Sequence, residues 1–402
     1  MNVTHLKQLR YVLFSVPILL LSMPATAATT QDLNARINAL EQQIADLKAL
    51  VQEQTASKAE VKAVQQDVSQ LKSTQYEWKT YDSVVHLGGY GAADFDSAAN
   101  NFSRAQFSPI FHYSYKDLVM MEAEVEMAIG PEDAPEIDLE YASIDLFLTD
   151  HIALTAGKFL TPLGYFIPKQ HPSWVNKMPD MPAGFGHDQA APVSDTGVMI
   201  RGGFRAPIGD NAYINYAGYI ANGPHIEMDG TEIDAIAAEG FTNDPDNSKI
   251  YGGRIGILPI PNVEIGFSAA SGDAAIENEH TRNYHIYDVD LSARWNNFSL
   301  RAEWVTQGLD ALASSVVPSQ WNLEGMYVQG SYRFLPTKFE GVVRYSKNNS
   351  PHPELDYDQI AFGVDYWFNS HTVAKMVYEI NNGMTGEEFD EDRLLLQMAY
   401  GF

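Results

Sequence analysis

Residues 356–368 read DYDQIAFGVDYWF, and from Ile360 to Tyr366 every second residue is large and apolar. The intervening residues are Ala, Gly and Asp. Because successive side chains of a β-strand point to opposite faces, this alternation predicts a strand with one apolar and one polar face. The same pattern recurs in residues 298–307 and 392–402. The repeating unit of the chain is therefore an amphipathic strand of about ten residues.

Sixteen such segments can be counted after residue 81, and the connections between them alternate between short and long. Short turns at one rim and long loops at the other are typical of membrane barrels. A soluble sandwich would also alternate, but its strands would end less often in aromatic residues. We therefore expect an all-β protein, a 16-stranded antiparallel transmembrane β-barrel over residues 81–402 with a water-filled lumen. The segments are residues 82–96, 103–115, 118–128, 136–148, 152–160, 196–206, 212–223, 249–258, 263–272, 284–295, 298–307, 321–334, 338–347, 356–368, 371–382 and 392–402.

Composition narrows the class of protein further. The 402 residues carry a formal net charge of −26, so few phosphates could be neutralised and nucleic acid is excluded as a partner. Cys is absent, which removes disulfides, thiolate metal sites and thiol catalysis. No run after residue 27 approaches the roughly 20 apolar residues of a membrane helix. Crossing a membrane with strands remains compatible with this composition.

The first 27 residues have the layout of an export signal. Lys7 and Arg10 precede an apolar stretch over residues 11–21, and Ala25-Thr26-Ala27 is a small-x-small cleavage pattern. We predict a signal peptide over residues 1–27. An uncleaved membrane anchor is the alternative, but the apolar stretch is short for one.

Residues 28–80 have a helical rather than a strand period. Apolar residues recur with alternating steps of four and three from Leu33 to Val51, which is a heptad seam. A second seam from Val61 to Leu71 is out of phase by three residues, a stammer. We predict a short α-helical coiled coil in the periplasm ahead of the barrel. A single amphipathic helix lying on another domain is the alternative.

Charged residues on the strand faces opposite the apolar residues should point into the lumen, because a charge facing lipid costs kilocalories. Six of them, on two neighbouring strands, form what we call the acidic strip. Its members are Glu122, Glu124, Glu126, Glu136, Asp138 and Glu140. Basic residues predicted to face the lumen are Arg201, Arg205, Arg254, Arg294, Arg301, Arg333, Arg344 and Lys375. Opposing strips would set up a field across the lumen, whereas ordinary cross-strand ion pairs are the plainer interpretation of any single residue.

The long connection over residues 160–195 contains six prolines, which stiffen a loop and favour an ordered plug. A long surface loop is the alternative. Its charged residues are Lys169, Lys177, Asp180, Asp188 and Asp195, of which we expect the first four to form a constriction.

The layout and several local motifs resemble the phosphate-selective porin (O and P) family. The segment Gly157-Lys-Phe-Leu-Thr-Pro-Leu-Gly164 is similar to the family's Gly-x-Phe/Tyr-x-Thr-Pro-Phe-Gly motif before the third outer loop. Residues 195–200 and 216–223 resemble the strands that follow. The resemblance implies a homotrimeric channel in the outer membrane of a Gram-negative bacterium, in contact with lipid and lipopolysaccharide. It also implies that the third loop folds inward as a constriction.

The chain departs from this family in the charge of the third loop, where two lysines stand against three aspartates. We therefore expect a porin for passive diffusion of small hydrophilic solutes and ions that is weakly cation-selective. An anion- or phosphate-selective porin is the alternative. A rival of another class is a tether, in which a plugged barrel anchors the coiled coil to the cell wall.

Two remaining predictions concern assembly and chemistry. Tyr400 and Phe402 share the apolar face of the last segment, which resembles the signal read by the barrel-assembly machinery. No hydrolase, metalloprotease or phosphate-loop motif is present, so we expect no cofactor, no metal and no enzymatic activity. A barrel hydrolase would be the alternative enzyme.

Overall fold

The computed structural model describes residues 40–43, 82–130, 135–187, 189–207, 211–237, 248–276, 279–386 and 388–402. Residues 40–43 are helical. The predicted signal peptide and the rest of the predicted coiled coil lie outside the described residues. Among the described residues, no helix has the length and apolar character needed to cross a membrane.

Sixteen strands form one closed antiparallel barrel, which confirms the predicted fold class. In chain order the strands are β1 (Ser83–Asp96), β2 (Asn101–Tyr115), β3 (Val119–Ile129), β4 (Pro135–Thr149), β5 (Ile152–Leu160), β6 (Ser194–Arg205), β7 (Tyr213–Asn222), β10 (Lys249–Ile260), β11 (Val263–Ala274), β12 (Arg282–Trp295), β13 (Phe298–Leu309), β14 (Trp321–Arg333), β15 (Phe339–Asn349), β16 (Tyr357–Trp367), β17 (Thr372–Asn382) and β18 (Arg393–Gly401). Between β7 and β10 in the chain, two further strands, β8 (His225–Asp229) and β9 (Glu232–Ala237), pair with each other as a separate hairpin.

Neighbouring strands pair in sequence order, and β1 pairs with β18 to close the barrel. The closing register runs from Tyr90 opposite Gly401 to Asp96 opposite Leu395. Closure leaves no barrel strand with unpaired backbone groups at an edge, which is the condition for crossing lipid with strands.

The outer wall of the barrel is apolar and the charged side chains of the strands point inward, as the alternation predicts. On β16 the outward-facing Phe362 is 49% exposed, whereas the inward-facing Asp365 is fully buried. Such an inside-out distribution is stable only when the outer wall meets an apolar solvent.

Aromatic residues surround one rim of the barrel, the rim that carries the short turns. Two of these turns place Asn262 and Asn296 at positive φ, a conformation that Asn adopts more readily than most residues. Exposed aromatic side chains at this rim are Tyr113, Tyr115, Phe147, Phe204, Tyr213, Trp295, Phe298, Tyr332, Phe334, Phe339, Phe368, Tyr400 and Phe402. A ring of this kind is typical of a membrane–water interface.

The hairpin β8–β9 was not predicted, because the sequence pattern was read as a single loop between two barrel strands. Gly230 and Thr231 form its turn, with Gly230 at positive φ. Ile226, Ile233 and Ile236 are buried against the same apolar cluster as residues of the barrel interior. The hairpin therefore folds back onto the barrel instead of projecting from it.

Candidate functional site

Residues 161–193, which we call the inserted loop, connect β5 to β6 and run through the barrel interior. Their side chains share buried apolar clusters with inward-facing residues of β7, β12, β13 and β14. Met178 packs with inward-facing residues of β15 to β18 in a second cluster. The six prolines predict an ordered loop. These contacts show that the ordered loop lies inside the barrel.

The first part of the inserted loop is held on β11 and β13. The Gly164 amide donates to the Ser268 hydroxyl (3.0 Å), and the Tyr165 and Phe166 amides donate to the two carboxylate oxygens of Glu303 (3.1 and 2.8 Å). Glu303 thereby accepts from free amides at the start of the helical turn Phe166–Gln170. Gly164 has φ +70, and any side chain there would collide with the Glu303 carboxylate.

Two buried cations hold the middle part of the inserted loop by its backbone. The Lys375 ammonium donates to the carbonyl oxygens of Ser173 (2.5 Å) and Met178 (3.3 Å). The Arg344 guanidinium donates to the carbonyl oxygens of Asp180 (2.9 Å) and Met181 (3.2 Å). Charged donors make stronger hydrogen bonds than neutral ones, so these residues act as fixed anchors.

Ion pairs add side-chain contacts to the same part of the loop. Lys177 pairs with Glu340 at 2.9 Å, and Asp180 pairs with Arg393 at 2.7 Å. Arg393 also pairs with Glu379 at 2.8 Å. The middle of the inserted loop is therefore bound to the wall formed by β15, β17 and β18.

The last part of the loop returns across β14 towards β4. Gly184, at φ +81, packs directly on the backbone of Gly325. The Phe185 ring meets the Tyr327 ring edge-on, with centroids 5.3 Å apart. His187 then lies 3.2 Å from the carboxylate of Glu140 on β4. The loop thus contacts most of the barrel circumference.

Open space remains between the inserted loop and the wall formed by β3 to β7. A cavity of about 300 Å³, the wall cavity, is lined on the barrel side by Glu122, Tyr141, Ser143 and Thr155. A second cavity of about 450 Å³, the short-turn cavity, lies at the rim with the short turns. Both are lined by Pro162, Pro168, Arg201 and Ala217. The two cavities therefore adjoin one another along the inner wall.

A third cavity of about 310 Å³ lies on the side of the inserted loop that faces the long loops. We call it the long-loop cavity. Asp180, His187, Tyr357 and Arg393 are among its lining residues. The inserted loop therefore lies between the open space at the long-loop rim and the two adjoining cavities along the β3–β7 wall.

The acidic strip differs in exposure along its length. Glu122 is half-buried and pairs with His112 at 2.8 Å. Glu124 is buried and accepts a hydrogen bond from the Tyr90 hydroxyl (2.6 Å), while Glu126 is half-buried. Glu136, Asp138 and Glu140 lie on β4, the first two exposed near the long-loop rim and the third buried beside His187.

Most of the predicted basic residues bind other protein groups. Arg201 pairs with Asp145 at 2.6 Å and lines both adjoining cavities. Arg254 makes a bidentate pair with Asp290 (2.7 and 2.8 Å). Arg301 contacts Gln170 of the inserted loop.

The remaining basic residues lie away from the two adjoining cavities. Arg344 and Lys375 are buried beneath the inserted loop, as described above. Arg333 lies 3.8 Å from Glu340. Arg205 and Arg294 are exposed near the short-turn rim.

Of the four predicted constriction residues, Lys169 borders the short-turn cavity and pairs with Glu264 at 3.1 Å. Lys177 is turned to the opposite wall, and Asp180 borders the long-loop cavity. Asp188 lies outside the described residues. Among the described residues, no group of three or more metal-ligating side chains is present.

At the end of the chain, Phe402 stacks on Phe107, with ring centroids 5.8 Å apart, and exchanges backbone hydrogen bonds with Gly89. Tyr400 stacks on Phe402 on the outer wall. These contacts close the barrel at the short-turn rim.

Sequence reasoning missed Arg104, Arg393 and His187. Arg393 could have been assigned to the interior, because Leu394 and Leu396 alternate with it on the outer face. Arg104 was harder to assign, since β2 alternates weakly. It pairs with Asp94 at 2.9 Å and donates to the Pro179 carbonyl oxygen of the inserted loop.

His171 is a buried titratable group within the inserted loop. Its Nδ1 donates to the Ile167 carbonyl oxygen (2.7 Å), and within the described part of the chain its Nε2 has no hydrogen-bond partner. Burial lowers the pKa of His171 below the ordinary value of 6.5, although Glu140 opposes this shift. Burial in the docked loop therefore favours the neutral imidazole over the charged one.

Comparison with known proteins supports the fold. No family model matches the chain. An uncharacterized protein of Aquifex aeolicus (strain VF5) is 22% identical over 336 residues, which is 76% of this chain and 71% of that protein.

Three similar solved structures are outer-membrane channels or porins. They are DcaP of Acinetobacter baumannii (9% identity, 81% of this chain and 99% of that one, TM-score 0.53), OmpF of Salmonella typhi in complex with daunomycin (10%, 80% and 97%, TM-score 0.51) and an anion-selective porin of Comamonas acidovorans (11%, 80% and 100%, TM-score 0.50). This chain therefore has the fold of the outer-membrane porins.

Proposed function

We propose that this chain is an outer-membrane porin, a channel for passive diffusion of small hydrophilic solutes and ions. The observation that supports this most directly is the pair of adjoining cavities along the β3–β7 wall, which share four lining residues. Both cavities carry charged side chains, Arg201 in both and Glu122 in the wall cavity, which can interact with hydrated solutes. The inserted loop narrows the lumen beside them. The proposal is a channel and not an enzyme.

Weak cation selectivity is the second part of the proposal. Glu122 lines the wall cavity, and Glu126 lies on the same face of β3. Arg344 and Lys375 are buried beneath the inserted loop, so water and mobile ions have little access to them. Arg201 and Lys169, which line the cavities, are each paired with a carboxylate, Asp145 and Glu264. Negative charge beside the open space raises the local concentration of cations.

The fold and the sequence also support a proposed cellular location and a proposed oligomeric state. The apolar outer wall and its aromatic rim suit the outer membrane of a Gram-negative bacterium, with lipid and lipopolysaccharide around the barrel. The resemblance to the phosphate-selective porin (O and P) family supports a homotrimer, with residues 28–80 as a periplasmic coiled coil near the cell wall. Native mass in detergent, with and without residues 28–80, tests the trimer, and a monomer or dimer in both would refute it.

Cysteine labelling tests the position of the pathway, because the natural chain has no Cys. Ala217→Cys places one thiol where the two cavities adjoin, and Ser346→Cys places a control thiol on β15 where the residue is fully buried. A positively charged methanethiosulfonate reagent should reduce the single-channel conductance of the first variant and leave the second unchanged. Equal sensitivity of the two variants would refute the proposed pathway.

A further inference from the structure

The wall cavity presents two opposite charges on its barrel side. Glu122 comes from β3 and Arg201 from β6. Arg201 reaches across β5 to Asp145 on β4. Asp145 lies two residues from Ser143, which pairs with Glu122. Two residues of strand span about 7 Å, so the guanidinium lies over the strand next to Glu122.

Each of these charges is oriented by one protein partner and retains further hydrogen-bonding capacity. Asp145 is buried and accepts from both Arg201 and the Thr155 hydroxyl. The Arg201 side chain is nevertheless 43% exposed, and a guanidinium has five N–H donors. Glu122 contacts His112 through Oε1, and its side chain is 23% exposed. Both groups can therefore bind a solute without losing their partners.

Another part of the wall-cavity lining is apolar. Phe159, Leu160 and Met199 contribute barrel side chains, and Pro162 and Pro168 come from the inserted loop. The volume of about 300 Å³ is at the lower end of the range for small-molecule pockets. Such a cavity has separate places for a cationic group, an anionic group and an apolar group.

We propose that the wall cavity is a binding subsite for a small apolar zwitterion with the chemistry of an apolar α-amino acid. Its ammonium group binds Glu122, its carboxylate binds Arg201, and its side chain packs on Phe159 and Met199. This inference rests on the proposed function, since the solute reaches the cavity by diffusion through the channel. It adds a preference among small solutes to a channel that otherwise sorts them by size and charge.

Block of ion current in planar bilayers tests the proposal at pH 7. L-Leucine is the probe, with isoamylamine as the analogue without the carboxylate and 4-methylpentanoate as the analogue without the ammonium group. Glycine lacks the apolar side chain. We expect leucine to block the current at a concentration about tenfold lower than any of the three, because each lacks one of the contacts.

Variants connect the block to the named residues. Arg201→Gln and Glu122→Gln should each raise the leucine concentration for half-block about tenfold, and Arg201→Lys should retain part of the effect. Lys338→Gln is the matched control, since it removes a positive charge from a short turn away from the cavity. Heat-modifiable migration in gels shows that each variant is folded.

The possible outcomes separate this inference from the proposed function. If the folded protein gives no ion current, the channel itself is refuted. If it conducts but isoamylamine blocks as well as leucine, the carboxylate contact is refuted and the subsite binds amphipathic amines. If leucine and glycine act alike, or if Lys338→Gln changes the block as much as Arg201→Gln, the wall cavity is not the subsite.

Discussion

Individual carboxylates of the acidic strip should contribute unequally to ion selectivity. Glu122 and Glu126 are half-buried on the inner face of β3, while Glu124 is buried against the Tyr90 hydroxyl. Changing Glu122 and Glu126 together to Gln should move the reversal potential towards anions, because mobile ions respond to charges that water can reach. Reversal potentials in a salt gradient measure this shift.

Glu124→Gln is the matched control for that double variant, and it should shift the reversal potential less. The difference should fade in concentrated salt, because the Debye length falls from about 10 Å at 0.1 M to about 3 Å at 1 M. An unchanged reversal potential in the double variant would mean that the strip has only a structural role.

Lys375 should determine how tightly the inserted loop is held. The buried Asp365 of β16 lies directly opposite Lys375 of β17. Lys375→Met combined with Asp365→Asn therefore removes the anchor without leaving a buried carboxylate uncompensated. A hydrogen bond from a charged donor contributes about 1.5–3 kcal/mol, so docking of the loop should weaken by that amount or more. Single-channel conductance should rise and become noisier. The surface variant Lys338→Met should behave like the natural chain, and a double variant with unaltered conductance would contradict the anchoring role.

Where alternation is strict, the sequence predicts which face of the barrel wall a side chain points to. It does not predict which groups that side chain binds. Alternation on β17 assigns Lys375 to the interior. Nothing in β17 indicates that its ammonium binds carbonyl oxygens some 200 residues earlier in the chain. Lys375 and Arg344, which lie beneath the loop, therefore hold protein groups and not solute.

At the scale of elements, docking of the inserted loop should depend on pH through His171. Because its pKa is lowered by burial, the docked state favours the neutral imidazole. Docking is then fully stabilised above the ordinary pKa of 6.5 and weakens as the pH falls below it. Conductance should therefore rise on acidification.

His171→Gln isolates this effect from that of nearby titratable groups such as Glu140 and His187. The variant should lose the part of the pH dependence that lies below 6.5. If the natural chain and the variant respond alike, the carboxylates or His187 and not His171 are responsible.

The sequence predicts the boundaries of the strands better than it predicts which segments occupy the lumen. Six prolines indicated an ordered segment at residues 160–195, yet its path depends on contacts such as Gly184 on Gly325, which no local pattern reveals. The hairpin β8–β9 did have a local signal, since Asp229-Gly230 lies between alternating apolar residues. It was missed because the connection between segments 212–223 and 249–258 was taken as a loop.

For the whole molecule, strand number was predictable because lipid and water impose opposite requirements on the two faces of every strand. The width of the pathway could not be predicted from the sequence, because it depends on how far the inserted loop fills the barrel. That loop leaves cavities along the β3–β7 wall and packs on the wall of β15 to β18. A channel and a plugged tether therefore share one sequence pattern and differ in whether this space conducts.

Single-channel recording of the purified, heat-modifiable protein in a planar bilayer tests that difference most directly. We predict discrete conductance steps in dilute salt, with a reversal potential of weakly cation-selective sign in a salt gradient. A folded barrel that inserts into the bilayer but gives no steps would contradict the account and favour the plugged tether.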